Sequence, residues 1–273
     1  MIKAAVLGSP ISHSLSPLLH AIAYTELGLE SDYTRIDVKS GELGAFLERC
    51  GPDWSGFSLT MPLKEEVLDF SKSVSSLAAR IRSANTLVQS SSQEWSATTT
   101  DVSGFTQALS ANGRDASGDV LVIGGGATAR AAVSACDGVS TRITVMLRSQ
   151  SRVKEISNCV ESSDLDFVEW GSANLFETSD LIISTTPEGA SDSLVKNFPS
   201  NPAGIFFDVL YNPWPTLALK TWRNLGGQTV DGLDLLVHQA IDQVSIFSGE
   251  SFERTTMAQL MRSHALKVLD SST

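Results

Sequence analysis

The chain has 273 residues and carries 31 acidic against 20 basic side chains, which gives a formal net charge of −11. A hydrophobic fraction of 42% with only 19% charged residues excludes a disordered polypeptide, and the length is ample for a buried core. The acidic balance argues against binding to nucleic acid or to an anionic membrane, because both surfaces attract basic proteins. A small anionic ligand is compatible with it where the site supplies local positive charge.

The apolar stretches are strand-sized and fall short of the ~20 residues that span a bilayer. The run from Met1 to Gly8 predicts a buried first strand, whose apolar core is too short for a signal peptide. Three cysteines, Cys50, Cys136 and Cys159, show no metal-ligand spacing. We therefore expect a cytoplasmic protein with reduced thiols and no bound metal.

The N-terminal region predicts alternating strands and helices. Strands are expected over 3–8, 33–38 and 56–59, helices over 17–27 and 41–50, and a hairpin from the runs 84–89 and 93–100. Ser16 directly precedes Pro17, which predicts a helix N-cap followed by proline at the first helical position.

A second series of elements begins at Asp119. Its predicted strands are 120–123, 142–147, 181–184 and 205–209, and its predicted helices are 127–136 and 151–160. Strands that are apolar throughout favour a parallel sheet covered on both faces. Two helices, 233–248 and 254–268, complete the chain without a further strand. The pattern predicts an α/β fold with an N-terminal α/β lobe, a doubly wound lobe and a helical tail.

The glycine cluster after the strand 120–123 is the strongest single motif. It matches G-x-G-x-x-A between a strand and a helix, and the residues that would contact a nucleotide are Gly124, Gly125, Gly126, Ala127 and Thr128. Glycine lets the backbone approach a pyrophosphate, which the helix N-terminus then attracts. The alternative is a glycine turn that is only structural.

The end of the next strand bears on which dinucleotide binds. An NAD site places Asp or Glu about 20 residues after the glycines. This chain has Arg148 there, 22 residues after Gly126, followed by Ser149 and Arg152. Guanidinium groups pair with phosphate in a fork, so the pattern favours the 2′-phosphate of NADP. The alternative is that both arginines are ordinary surface charges.

Polar residues also cluster in the N-terminal lobe. Ser14 and Ser16 can both point at a carboxylate, although Ser16 alone could simply cap the following helix. Lys64 lies at a strand-to-helix turn, where it is either an acid–base group or a surface charge. Asn85 and Asp101 lie at the ends of short extended runs, and Asp101 could instead cap a hinge.

These motifs, taken in order, resemble the shikimate dehydrogenase family over nearly the whole chain. The matching segments are Gly8–Pro17, Thr60–Lys64, Ala84–Thr86, Thr100–Asp101, Gly124–Arg130, Asp208–Tyr211, Asp231–Leu233 and His238–Ala240. The resemblance implies an NADP-dependent oxidoreductase that reversibly reduces 3-dehydroshikimate to shikimate in aromatic amino-acid biosynthesis.

The resemblance also implies roles for individual residues. Ser14 and Ser16 would hold the substrate carboxylate, and Lys64 would be the acid–base group, oriented by Asp101. The ring hydroxyls and the reacting oxygen would be held by Thr60, Asn85, Asp101, Tyr211 and Gln239. Val209 and Gly232 would lie beside the nicotinamide. The cofactor carries the hydride, so the protein aligns the reactants and handles one proton.

The implied division gives a substrate-binding catalytic domain, residues 1–101 with 232–273, and a Rossmann-like NADP domain, residues 102–231. The C-terminal helices would pack back on the first lobe. The partner would be a small-molecule substrate, without nucleic acid or membrane, in a monomer or homodimer.

Six positions depart from the commonest family pattern: Ser58, Thr99 and Leu147 stand where Asn is usual, Val102 and Asp234 stand in place of Gly, and Leu235 stands in place of Met. Alternative readings are a quinate/shikimate dehydrogenase that uses NAD, a two-lobed dehydrogenase of the methylene-tetrahydrofolate type, and a non-catalytic paralogue. Arg148 argues against the first, the paired serines with Asn85 against the second, and the retained Lys64 and Asp101 against the third.

Overall fold

The computed structural model describes residues 1–271, which form two compact units. One unit comprises Met1–Thr100 together with the chain from Leu236 onward, and the other comprises Asp101–Leu235. We call them the first unit and the second unit. The domain boundaries predicted from the sequence fall after residues 101 and 231, whereas the units divide after Thr100 and Leu235.

The first unit contains a six-stranded sheet in the order β2-β1-β3-β5-β6-β4. Its strands are β1 (Ile2–Gly8), β2 (Ser31–Asp37), β3 (Gly56–Leu59), β4 (Ser73–Val74), β5 (Thr86–Gln89) and β6 (Trp95–Thr98). Strands β2, β1 and β3 are parallel, while β5 runs antiparallel to β3 and forms the predicted hairpin with β6.

The helices of this unit are α1 (Ser16–Glu26), α2 (Leu43–Leu47), α3 (Leu63–Glu66) and α4 (Ser76–Ile81) before the second unit, and α11 (Arg254–Asp270) after it. Helix α10 (Gly232–Ser248) crosses the boundary, which falls after Leu235. Helix α11 packs against α1, so the C-terminal helices complete the first unit as expected.

The core of the first unit lies on its central strands. Residues Ala4 to Leu7 of β1 are at most 3% exposed because β1 is flanked by strands on both sides and covered on both faces. The Phe57 ring lies 5.3 Å from the Phe46 ring and 4.7 Å from that of Trp54. This packing fixes the carboxyl ends of β1 and β3 side by side.

The second unit contains a parallel six-stranded sheet in the order β12-β11-β10-β7-β8-β9. The strands are β7 (Asp119–Ile123), β8 (Arg142–Leu147), β9 (Asp164–Glu169), β10 (Leu181–Ser184), β11 (Ile205–Asp208) and β12 (Gln228–Val230). The helices are α5 (Asp101–Ala111), α6 (Ala127–Cys136), α7 (Val153–Ser157), α8 (Leu175–Thr178) and α9 (Leu217–Asn224). The strand order reverses at β7, which is where ligands bind in open parallel sheets.

The predicted α/β fold class, with a substrate lobe, a doubly wound lobe and returning C-terminal helices, is confirmed. Edge strands β9 and β12 were not predicted because neither contains a continuous apolar run: acidic residues interrupt β9, and β12 has three residues of which only Val230 is apolar. The predicted Ser16 N-cap is wrong. Helix α1 begins at Ser16, the capping position is Leu15, and no side chain caps the helix.

No helix within residues 1–271 has the length and apolar character needed to cross a membrane. Cys50, Cys136 and Cys159 form no disulfide, and the latter two are buried. Burial raises the pKa of the Cys136 thiol to about 12, so it stays protonated at neutral pH.

Candidate active site

The serine pair of the first unit lies in the turn between β1 and α1. Ser14 and Ser16 are 4% and 5% exposed, and the Ser14 hydroxyl accepts a hydrogen bond from the Ser16 amide at 3.3 Å. The Arg35 side chain donates to the Ser14 carbonyl at 2.8 Å and holds the turn from β2. Because helix α1 has no side-chain cap, the Ser16 hydroxyl is not used for capping.

The turn that carries Thr60 and Lys64 follows β3, directly beside the end of β1. A Cβ at Gly8 would lie 2.5 Å from Thr60 Cγ2 and 2.8 Å from the Met61 carbonyl, so only glycine permits this approach. The Ser9 amide donates to the Met61 carbonyl at 3.0 Å, which joins the two turns. The Lys64 carbonyl accepts from the Ala84 amide at 2.8 Å and thereby links helix α3 to the segment before Asn85.

Asn85 lies just before β5 and is 1% exposed. Its Nδ2 donates to Thr100 Oγ1 at 2.9 Å and to Gln239 Oε1 at 3.1 Å. Its Oδ1 accepts from the Thr100 amide at 2.8 Å and from the Thr86 hydroxyl at 2.9 Å. The structure therefore brings Asn85 and Gln239 together, although 154 positions separate them in the chain.

Two further predicted substrate residues belong to the second unit. Asp101 is the first residue of α5 and is 4% exposed. Tyr211 follows β11 and is half-buried. Asp101 immediately follows Thr100, whose amide and hydroxyl both bond the Asn85 side chain.

The glycine loop of the second unit joins β7 to α6. Gly124 has φ +120°, and a Cβ there would lie 2.4 Å from Thr185 Oγ1. Gly126 is the N-cap of α6, and a Cβ there would meet nothing within 4 Å. The first turn of α6, Ala127 and Thr128 included, presents amides without helical acceptors. This open, electropositive backbone fits a pyrophosphate.

The arginines predicted to bind the 2′-phosphate lie beside this loop. A Cβ at Gly125 would be 2.8 Å from Leu147 Cδ2 and 3.3 Å from Arg152 Cβ, so β8 and Arg152 both reach the loop. The Arg148 guanidinium lies 5.2 Å from the centre of the Trp170 ring, a cation–π distance. The Ser149 hydroxyl lies 2.9 Å from that of Ser151.

A carboxylate modulates this basic cluster. Glu155 Oε2 accepts from Arg152 at 2.8 Å and from the fully buried Arg130 at 3.3 Å. Arg152 remains 44% exposed in its side chain. Exposed guanidinium groups beside an open loop fit a phosphorylated dinucleotide, and the cluster retains exposed positive charge at Arg148 and Arg152.

The residues expected beside the nicotinamide also lie together. A Cβ at Gly232 would be 2.3 Å from the Val209 carbonyl, so glycine is required for the contact. Asp234 is 5% exposed and accepts from Asn112 Nδ2 at 3.3 Å. This departure from the family pattern has a structural partner within the second unit.

Burial shifts the protonation of several groups near these clusters. Burial raises the pKa of Asp208 to about 6, although hydrogen bonds from Thr216 and Leu210 oppose the shift. Burial lowers the pKa of His20 to about 3 and that of His238 to about 4. Both histidines are neutral at physiological pH. Residues 1–271 contain no cluster of His, Cys, Asp or Glu side chains suited to a metal.

Sequence reasoning noted Thr86 only as a polar neighbour of Asn85, and it missed Tyr33 and Gln243. Thr86 and Gln243 bond Asn85, and Tyr33 bonds Ser58. One signal was available: Gln239 and Gln243 are four residues apart, so they share a helix face. It also missed Trp170 and Glu155, for which the sequence offers no comparable signal because their contacts arise between separate elements.

Comparisons with known proteins identify relatives of the chain in both sequence and fold. Residues 6–87 match the family model described as the shikimate dehydrogenase substrate binding domain. A shikimate dehydrogenase (NADP(+)) of Prochlorococcus marinus is 32% identical over 262 residues, covering 89% of this chain and 91% of its own.

Solved structures show the same architecture. The crystal structure of Mycobacterium tuberculosis shikimate dehydrogenase superposes with a TM-score of 0.86 at 34% identity, over 96% of this chain and 99% of its own. The Thermus thermophilus shikimate 5-dehydrogenase in complex with NADP(H) and shikimate gives 0.85 at 29% identity over 96% and 99%.

Proposed function

The chain belongs to the shikimate dehydrogenase family, and from this premise we propose how its residues carry out the family's reaction. It is an NADP-dependent oxidoreductase that interconverts 3-dehydroshikimate and shikimate, a step towards chorismate and the aromatic amino acids. The observation that most supports the assignment is the buried Asn85–Gln239 cluster, because a polyol needs amide groups held in fixed orientations. The NAD-dependent quinate alternative is not favoured, since Arg148 lies where an acidic residue would select NAD.

We assign the substrate carboxylate to Ser14 and Ser16. Two nearly buried hydroxyls in a turn held by Arg35 can donate to both oxygens of a carboxylate, and bonds to charged groups are the stronger class. We assign the ring hydroxyls and the reacting oxygen to Thr60, Asn85, Asp101, Tyr211 and Gln239. Each buried hydroxyl left unpaired would cost about 1–3 kcal/mol, which is why the donor set is large.

Lys64 is the proposed acid–base group. In the reducing direction its ammonium donates a proton to the oxygen of the former ketone, and in the oxidising direction its amine accepts that proton. Asp101 orients the Lys64 side chain. The short helix α3 supports this role because its backbone is tied to the Asn85 segment through the Ala84–Lys64 bond.

Bound NADP supplies or accepts the hydride. We propose that Gly124, Gly125 and Gly126, with Ala127 and Thr128, hold its pyrophosphate. Arg148, Ser149 and Arg152 would hold the 2′-phosphate, and Val209 with Gly232 would hold the nicotinamide.

We propose two domains with distinct tasks. Residues 1–101 with 232–273 would form the substrate domain, and residues 102–231 would form the NADP domain. We propose a cytoplasmic enzyme, a monomer or homodimer, whose partners are small molecules, without nucleic acid or membrane. The absence of a disulfide among Cys50, Cys136 and Cys159 and the net charge of −11 support this proposal.

An initial-rate assay that crosses shikimate and quinate with NADP and NAD tests the assignment. We expect the highest kcat/KM for shikimate with NADP. A faster reaction of quinate with NAD would replace the assignment with the quinate-active alternative. Absence of turnover for all four combinations, in a protein that binds NADP, would favour a non-catalytic paralogue.

A further inference from the structure

A chain of buried hydrogen bonds leads from β2 to Asn85. It consists of Tyr33, Ser58, Gln243, Thr86 and Asn85, and we call it the Tyr33–Asn85 relay. The Tyr33 hydroxyl donates to Ser58 Oγ at 2.6 Å, and Ser58 donates to Gln243 Oε1 at 2.7 Å. Gln243 Nε2 donates to Thr86 Oγ1 at 3.0 Å and to the Asn85 carbonyl at 2.9 Å. Thr86 donates to Asn85 Oδ1 at 2.9 Å.

The direction of each bond in the relay follows from the number of protons available. The Asn85 carbonyl can only accept, so the amide nitrogen of Gln243 donates to it and Oε1 faces Ser58. A hydroxyl carries one proton, so Ser58 donates to Gln243 Oε1 and accepts from Tyr33. With Oε1 facing Ser58, the amide nitrogen of Gln243 faces Thr86. The Thr86 hydroxyl therefore accepts from Gln243 and has its proton left for Asn85 Oδ1.

The consequence is that the amide of Asn85 has one orientation. Its oxygen faces Thr86, and its nitrogen faces Gln239 Oε1 and Thr100 Oγ1. A rotation of 180° would set the Asn85 nitrogen against the Thr86 donor and against the Thr100 amide. Such a flip would leave buried donors facing each other, which is costly in a low-dielectric interior.

No titration disturbs the relay near neutral pH. Burial raises the pKa of Tyr33 far above its usual value, so its hydroxyl remains a donor. His20 stacks on the Tyr33 ring at 3.8 Å with its Nδ1 3.1 Å from Tyr24 Oη, and burial lowers its pKa to about 3. Burial raises the pKa of Tyr24 as well. The groups that pack around Tyr33 are therefore uncharged.

We propose that Gln243 is a positioning residue that acts through Thr86 to fix the Asn85 amide for binding the substrate's hydroxyls. This inference rests on the proposed role of Asn85 in substrate binding. Gln243 and Thr86 both bond Asn85 and neither is assigned a contact with the substrate, so their effect on the substrate is exerted through Asn85. Ser58, a departure from the usual family residue, is part of the same device because it sets the orientation of the Gln243 amide.

Paired variants at Thr86 test the proposal. Thr86→Val keeps the branched shape and removes the hydroxyl, whereas Thr86→Ser keeps the hydroxyl. We expect Thr86→Val to raise the KM for shikimate by about ten-fold, the equivalent of one hydrogen bond, and to leave the KM for NADP unchanged. Thr86→Ser should stay within about two-fold of wild type. Gln243→Met, which keeps the length and removes both polar atoms, should match Thr86→Val.

The control is Ser248→Ala on the same helix as Gln243. The Ser248 hydroxyl donates to its own helix, at the Val244 carbonyl, so this variant reports the loss of a half-buried hydroxyl outside the relay. An unchanged KM for shikimate in both Thr86→Val and Gln243→Met would overturn the proposal. Equal losses in Thr86→Val and Thr86→Ser would also overturn it, because the hydroxyl would not be the cause.

A substrate-free measurement separates this inference from the proposed function. The side-chain amide protons of Asn85, assigned by their loss in Asn85→Asp, should exchange slowly in wild type and Thr86→Ser and faster in Thr86→Val. If wild type fails to turn over shikimate, the proposed function is wrong, while this exchange pattern still decides whether the relay fixes the amide. Equal exchange rates in all three proteins would contradict the relay.

Discussion

The two units of the molecule prepare for their ligands in opposite ways. In the first unit, Asn85 has its amide oxygen and nitrogen bonded to protein groups, and Gln239, Thr86 and Gln243 support it. In the second unit, the proposed nucleotide site combines exposed guanidinium groups with a loop in which Gly124 and Gly126 carry no side chain. The first unit fixes amide orientations in advance, whereas the second leaves backbone and charge open to an anion.

The difference follows from the chemistry of the proposed ligands. A polyol offers neutral hydroxyls whose recognition depends on the angle of each hydrogen bond, so the protein groups must be fixed beforehand. A phosphate offers charge and several oxygens, so helix amides and flexible arginines suffice. Substitutions in the first unit should therefore change kcat or the KM for shikimate, and substitutions in the second unit should change the KM for NADP.

The largest expected effect is at Lys64. Lys64→Ala should lower kcat by ~10²–10⁴-fold, the usual contribution of a positioned acid–base group, with substrate affinity changed much less. Initial rates and shikimate titrations measure the two quantities. Lys72→Ala is the matched control, because Lys72 is exposed and pairs only with Glu94 among the ion pairs of residues 1–271. Retention of more than half of the wild-type kcat would remove Lys64 from the mechanism.

The serine pair should give the next largest effect. Ser14→Ala combined with Ser16→Ala should raise the KM for shikimate by roughly ten- to a hundred-fold, since it removes two bonds to a charged group. The KM for NADP should change little, which sharpens the contrast between the units. Ser12→Ala is the control, because Ser12 is an exposed serine of the same turn. An unchanged KM for shikimate would exclude the serines from carboxylate binding.

Cofactor choice tests the second unit. Arg148→Ala should raise the KM for NADP by about ten-fold and leave that for NAD nearly unchanged, because one charge-assisted bond to the 2′-phosphate is lost. The decrease in the KM for NADP at low salt should also become smaller in this variant. Arg142→Ala, at the other end of β8, is the matched control, since Arg142 is exposed and pairs with Asp166. An equal loss with both cofactors would mean that Arg148 supports the fold.

A further effect concerns stability rather than catalysis. Because burial raises the pKa of Asp208 from 3.8 to about 6, its contribution to stability is complete below pH 3.8 and is lost as pH rises through 6. The free energy of unfolding should therefore lose up to about 3 kcal/mol between pH 4 and 7 through this group. Asp208→Asn should flatten that dependence in denaturant titrations at both pH values. An unaltered pH dependence would show that Asp208 ionises normally in the folded chain.

The sequence predicted the four central strands of the second unit, β7, β8, β10 and β11, because nearly all of their residues are buried. Strands at 142–147 and 181–184 and the helix over 127–136 have the predicted bounds, since continuous apolar runs and a glycine turn mark them clearly. Helix α5 was missed because Gly104, Ser103 and Thr106 weaken its local propensity. Tertiary packing of Phe105 against Phe207, at 5.4 Å, compensates for that weakness.

The candidate site was predictable as a set of residues but not as an arrangement. The motifs identified Asn85 and Gln239 as site residues but did not predict the hydrogen bond between them, because no local pattern indicates a contact across 154 positions. The predicted cap at Ser16 is wrong because α1 already begins at Ser16, which leaves Leu15, without a polar side chain, at the capping position. In the sequence, Ser58 is only a departure from the family pattern. The structure shows that its hydroxyl bonds both Tyr33 and Gln243.

The bond between Gln243 and the Asn85 carbonyl joins residues 158 positions apart, and this separation sets an order of events during synthesis. Residues 101–235 leave the ribosome before helix α10 is complete. Ser58 and Thr86 are therefore made early, but their hydrogen-bond partner Gln243 is made late. At typical rates of 5–20 residues per second, the stretch from 236 to 271 takes roughly 2–7 s to emerge. During that interval the polar groups around Asn85 lack their bonds to Gln243. The first unit, which begins with the first residues made, is therefore among the last parts of the molecule to form.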